Sequence, residues 1–153
     1  VAHMDEVGFV VRRIGEDGFI SLNRLGGIPK RVLAGQKILL LGRKGPVKGV
    51  FTTWPHHLTP DSEKYKVRSI TECWVDVGAK NQKEVFELGI KVGDFGVYER
   101  SWHVEGDFIF ANSLDNRGGL ASITQMLQQL AGQTSFRLSA IASVQEEDRK
   151  SVV

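Results

Sequence analysis

The chain has 153 residues, 41% of them hydrophobic and 25% charged, enough for one ordinary soluble domain with a useful core. A net charge of +2, evenly spread, gives no electrostatic case for nucleic acid or an anionic membrane as partner. The single cysteine, Cys73, excludes an internal disulfide framework, and no apolar run approaches the roughly 20 residues of a membrane-spanning helix, so a cytoplasmic protein is the expectation.

Thirteen of the 17 glycines lie in the first 105 residues, among short β-branched or aromatic runs parted by turn signals, which is how an all-β module reads. Val7–Ile14 and Phe19–Leu25 form a predicted hairpin across Gly15-Glu16-Asp17-Gly18. Lys37–Leu41 and Val47–Thr53 repeat the arrangement around Gly42-Arg43-Lys44-Gly45, and Cys73–Val77 is a further strand, so a small barrel is expected. Trp54–Lys66, with two prolines, two histidines and several charges, reads as a loop. A helix is expected over Asn81–Leu88, with Asn81 capping its free amides and Gly89 stopping it.

From Leu114 the pattern changes. Leu120, Ile123, Leu127 and Leu130 recur at helical spacing, and Phe136–Val144 is a nearly continuous apolar run, so a helix followed by a buried strand of an α/β layer is predicted. The opening residues are assigned to the same layer, which makes the β module an insertion within an α/β domain.

Three motifs carry the chemistry: Ala2-His3-Met4-Asp5-Glu6, Leu114-Asp115-Asn116-Arg117 and Gln145-Glu146-Glu147. A catalytic zinc takes three histidine or carboxylate ligands and keeps one open position, and two such ions about 3.5–4 Å apart need a carboxylate between them. His3, Asp115 and Glu147 are ligands of the right kind. Asp5, two residues beyond His3 on the same side of an extended chain, can accept the second imidazole N–H and fix the tautomer. Asp115 precedes Asn116-Arg117-Gly118-Gly119, whose glycines allow close backbone approach to a bridging carboxylate. Glu146 and Glu147 stand where a strand runs out, so a turn there lets both face one cavity, one as ligand and one as general base.

Each motif alone has a plainer explanation: a surface histidine beside a carboxylate, a helix N-cap, a solvated Glu-Glu turn. Their joint placement at the ends of apolar elements, where α/β folds put sites, favours function. His56, His57 and His103 read as surface loop residues, and Cys73 as a packed small hydrophobe.

These motifs, together with Gly26-Gly27, Gly35-Gln36, Val75-Asp76-Val77-Gly78-Ala79, Leu88-Gly89-Ile90 and Val92-Gly93-Asp94, closely resemble the tetrahedral (TET) or deblocking aminopeptidases, whose relatives include FrvX-like and cellulase M-like proteins. The resemblance runs from residue 2 to 147. It implies a partial zinc-peptidase-like α/β catalytic domain, residues 1–8 and 106–147, with an inserted β-barrel dimerisation domain at residues 9–105. It implies a dinuclear metallo-aminopeptidase, with two divalent ions of zinc or cobalt, that removes N-terminal residues from peptides, and dimers that assemble into dodecamers. By motif, His3 and Glu147 would hold different metals, Asp115 would bridge them, Glu146 would be the base and Asp5 the orienting carboxylate. The family's N-terminal helix and first strands, and its later acidic and histidine ligands, have no counterpart here. Asp148-Arg149-Lys150-Ser151-Val152-Val153 departs from the family's continuation and resembles a translated sequencing adapter. Two other functions stay open: a glycoside hydrolase, whose paired carboxyls stand roughly 5–9 Å apart across a sugar, and a non-catalytic assembly module.

Overall fold

A computed structural model describes residues 1–147; the hexapeptide tail read above as foreign lies outside the described residues. The chain folds as two compact units, one of Gly8–Arg100 and one that joins Val1–Val7 to the chain from Ser101 onward.

In the chain's opening unit β1 is Ala2–His3. The other unit begins with β2 (Gly8–Ile14) and β3 (Ile20–Leu25), then β4 (Lys37–Gly42), β5 (Gly45–Thr52), β6 (Trp74–Asp76), α1 (Gln82–Glu87) and β7 (Phe95–Tyr98). Its six strands close into a barrel in the order β2-β3-β6-β5-β4-β7. The strands alternate, so Phe9 and Val11 of β2, Ile20 and Leu22 of β3, Ile38 and Leu40 of β4, Phe51 and Val75 all face inward and are buried, the period-2 pattern that a half-buried strand requires. Phe9 sits at the centre, tilted against Phe51 at 4.9 Å and edge-on to Tyr98 at 5.3 Å. Closure depends on β7 pairing with both β2 and β4. A side chain at Gly96 would meet Leu40 and Ile38 within about 3.0 Å, so the absent Cβ makes room for the core there.

Both expected hairpins are present, β2 with β3 and β4 with β5. Asn81 caps α1 by accepting the Glu84 N–H at 3.0 Å, and Gly89, at φ 91°, ends it. Within the expected loop, His56–Leu58 forms one 3-10 turn. The sixth strand, β7, was not read from the sequence: Phe95-Gly96-Val97-Tyr98 is short, and glycine interrupts its pattern.

In the unit that continues from Ser101, β8 (Trp102–Glu105) and β9 (Phe108–Ala111) form an exposed hairpin. β8 therefore pairs outside the barrel, although the sequence reading placed residues 101–105 with the insertion. The helix α2 spans Leu114–Leu130 with a kink at Asp115 and Asn116, and Leu120, Ile123, Leu127 and Leu130 are its half-buried positions. The expected buried strand over Phe136–Val144 is corrected: only Ala142–Ser143 (β10) is extended and paired, while Phe136, Ile141 and Val144 are exposed. The reason is the ladder itself. Among the described residues β10 has one neighbour, β1, in a two-residue parallel pair, so the apolar run has no sheet to enter.

Candidate metal centre

The pair β1–β10 builds the site. Ala2 aligns with Ala142 and His3 with Ser143, fixed by the Ala2 N–H to Ile141 O bond at 3.0 Å and the Met4 N–H to Ser143 O bond at 2.8 Å. Parallel strands carry the residues after each strand to the same end. Asp5 therefore meets the turn at Glu146–Glu147, and its Oδ2 accepts the Glu147 backbone N–H at 3.0 Å. The third segment is the start of α2. Gly119 lies against β1 there: a Cβ on it would stand at ordinary contact distance, 3.5 Å, from the Ala2 Cβ, and its absence leaves room for the Asn116 side chain.

His3 is the centre of the arrangement and is buried, 8% exposed. Its Nε2 lies 3.2 Å from Asp115 Oδ1 and 3.8 Å from Glu146 Oε2, and its Nδ1 lies 3.3 Å from the Asp5 carbonyl and 3.5 Å from Asp5 Oδ1. Ligand atoms of His3, Glu146 and Glu147 all fall within 4.8 Å of one another. Asp115, with its side chain 89% exposed, joins this group through His3. All five residues singled out in the sequence thus meet at one place. The donor set fits a divalent cation: ligand bonds of about 2.0–2.2 Å in a tetrahedron imply donor separations of roughly 3.3–3.6 Å, close to those found around Nε2.

Electrostatics point the same way. Burial alone would lower the His3 pKa, but the Asp5 carbonyl, the Asp115 carboxylate and the charges of Glu146 and Asp5 outweigh it and raise it. Burial would likewise raise the Asp5 carboxyl, yet the backbone N–H groups of Glu147, Asp5 and Glu146, with His3, hold it below the usual carboxylate range. The Glu147 carboxyl is raised, first by burial and then by the neighbouring Glu146 charge. Crowded carboxylates of this kind are relieved by a cation.

Sequence reasoning missed two features. Asp5 holds the Glu147 backbone as well as facing His3. Glu6 and Arg117, present in the motifs but given no role, form an ion pair at 3.7 Å, and Ser113 hydrogen-bonds to Glu6; the signal available was a carboxylate and a guanidinium in the two motifs that supply His3 and Asp115. The remaining histidines are elsewhere: His56 lies edge-on to Tyr65 and His103 stacks on Phe110 at 4.8 Å.

Comparison with known proteins gives the family. Residues 1–148 match the family described as M42 glutamyl aminopeptidase. The lysyl aminopeptidase of Pyrococcus furiosus is 33% identical over 151 residues, covering 95% of this chain and 42% of that protein. A TET aminopeptidase from a marine sediment archaeon, Thaumarchaeota archaeon SCGC AB-539-E09, superposes with a TM-score of 0.87 at 31% identity, over 95% of this chain and 43% of that one. The Pyrococcus horikoshii TET1 peptidase, which can assemble into a tetrahedron or a large octahedral shell, superposes with a TM-score of 0.74 at 28% identity, over 86% of this chain and 40% of that one. The chain spans 40–42% of the length of the curated relatives it matches. With the motifs, the histidine-centred cluster and the match along residues 1–148 in agreement, the chain belongs to the M42 glutamyl aminopeptidase family.

Proposed function

We propose that His3, Asp5, Asp115, Glu146 and Glu147 form part of the metal centre of a dinuclear metallo-aminopeptidase that removes N-terminal residues from peptides. The observation that carries this is the buried His3 imidazole with its Nε2 turned toward carboxylates from two other segments. Two divalent ions, zinc or cobalt, would supply Lewis-acid polarisation of the scissile carbonyl and acidify a water at neutral pH. His3, Asp115 and Glu147 would hold the ions. Asp5 orients the ligands, facing the His3 Nδ1 edge and gripping the Glu147 backbone. Glu146, half exposed at the cluster's rim, takes the proton of the attacking water on its carboxylate and returns it to the leaving amine.

The barrel is read as a dimerisation domain inserted in the catalytic domain, and its dimers as units of a dodecamer. Its support is the likeness to a TET peptidase that forms closed shells. The same reading puts the protein in the reducing cytoplasm, where an unpaired buried cysteine is ordinary. A glycoside hydrolase is disfavoured, since its carboxyls would stand apart across a sugar and not gather around an imidazole.

The experiment is a pair of substitutions in the full-length protein carrying this segment. Glu146→Gln is expected to leave metal content and fold intact while turnover falls about 10²–10⁴-fold, the usual contribution of a positioned base. Glu147→Gln is expected to lower metal content. An active Glu146→Gln variant, or two variants that behave alike, would overturn the assignment.

A further inference from the structure

Contacts outside the metal centre also join the segment His3–Glu6 to the start of α2. Besides the His3–Asp115 contact, the Ser113 hydroxyl donates to Glu6 Oε2, and the Arg117 guanidinium lies 3.7 Å from Glu6 Oε1. Ser113 and Arg117 stand two residues before and two residues after Asp115. A single carboxylate, 15% exposed, therefore grips both flanks of that aspartate.

Asp115 needs such support. Its side chain is almost fully exposed, so packing does not fix it. Its backbone is not helical, at φ −84° and ψ 110°, and neither is that of Asn116 at φ −118° and ψ 32°, so the hydrogen-bond ladder of α2 does not fix it. Ser113, at φ 60° and ψ 30°, holds the left-handed conformation, which is unfavourable for a non-glycine residue and persists only where surroundings enforce it.

The geometry points to Glu6 as a positioning residue: by holding Ser113 and Arg117 it fixes the Asp115 carboxylate opposite His3 and so sets the affinity of the centre for a divalent cation. The inference rests on the metal-centre reading above. Glu6 also neutralises Arg117, whose charge two residues from a cation ligand would otherwise oppose binding. It acts through these partners and not as a ligand, for its two carboxylate oxygens are engaged by them, Oε2 by the Ser113 hydroxyl and Oε1 by the Arg117 guanidinium.

The test uses the full-length protein carrying this segment in two measurements: amide hydrogen exchange on the metal-free protein, and zinc titration for Kd. In Glu6→Ala and in Arg117→Ala, amides around residues 115–119 are expected to exchange faster while those of the barrel strands do not change, which also shows that the variants fold. Zinc Kd is expected to rise about 10-fold or more in each, the usual effect of removing a group that orients a ligand, with Asp115→Asn marking the loss of the ligand itself. Glu6→Gln, whose amide oxygen still accepts from Ser113, should fall between wild type and Glu6→Ala. The double variant should lose no more than the worse single one, since both act through one contact. An effect at Glu6 without one at Arg117, or additive losses, would show that the two do not act through their shared contact and would overturn the proposal. Faster exchange with unchanged zinc Kd would reduce the contact to a structural one and overturn it as well, and so would unchanged exchange. If the full-length wild type takes up no zinc, the metal-centre reading fails and the positioning role with it; if wild type binds and no variant differs, the positioning role alone fails.

Discussion

At His3, burial and partner chemistry oppose each other. Burial disfavours the imidazolium, and the surrounding oxygens favour it strongly enough to raise the pKa. A cation in the cluster would take over the work the proton does there, which is why a histidine among carboxylates suits metal better than it suits a structural role. In the barrel, titration has a different origin. Burial raises both the Cys73 thiol and the Tyr98 phenol above their ordinary values, and the Tyr98 hydroxyl is buried without a hydrogen-bond partner. A raised folded-state pKa means that the unfolded chain loses its proton first, so the stability these groups contribute is present below the ordinary thiol and phenol range and is lost as pH rises through the folded-state values. The urea midpoint is therefore expected to fall as pH rises beyond about 8.5 for the thiol, and further beyond about 10 for the phenol. Tyr98→Phe, which removes an unsatisfied hydroxyl, is expected to be neutral or stabilising at neutral pH and to flatten part of that decline. A clear loss of stability at neutral pH would show that the hydroxyl has a partner.

Local chemistry decides the short elements. The helix α1 has six residues, too few to form alone, and it persists through its cap and its packing: Asn81 accepts the Glu84 N–H, the Glu84 carboxylate accepts the Lys80 N–H at 2.8 Å, and Val85 is fully buried. Asn81→Ala is expected to lower stability by about 1 kcal/mol, read from the urea midpoint; a change within error would show that packing of Val85 suffices. The helix α2 is the opposite case. Its apolar positions were legible because four of them repeat at helical spacing, yet its kink at Asp115 was not. The kink is where Asp115 is presented to His3, and no pattern within residues 114–117 encodes a partner more than 100 residues away in sequence.

For the whole chain, the barrel unit is expected to fold by itself, since its core of Phe9, Leu22, Ile38, Leu40, Phe51 and Val75 lies wholly within Gly8–Arg100. It is also expected to self-associate, because Leu41, Val50, Phe86 and Phe95 are exposed on it and exposed apolar surface favours partners. Sedimentation of residues 8–100 checks both points, and a strictly monomeric species at tens of micromolar would count against association. Peptide hydrolysis is a separate matter. On the proposed reading, His3, Asp115 and Glu147 shared between two ions would leave each with about two protein contacts, below the three that a catalytic zinc keeps. The 153-residue chain, loaded with zinc or cobalt and offered unblocked peptides, is therefore expected to release no amino acid above a metal-only control. Turnover abolished by a chelator would show that these ligands suffice.

The amino-acid sequence by itself determined the barrel's two hairpins, the capped helix, the apolar face of α2 and the identities of the clustered residues, since period, turn chemistry and capping act over a few positions and leave their mark in the residues themselves. Only the tertiary structure decided that Phe95–Tyr98 closes the barrel, that Trp102–Glu105 pairs away from it, and that Phe136–Val144 stays largely exposed. Each of these depends on which strand lies alongside, a long-range choice that an apolar run does not specify. The grip of Glu6 on Ser113 and Arg117 belongs to the same class: two motifs, legible apart, acquire their joint chemistry only where the chain brings them into contact.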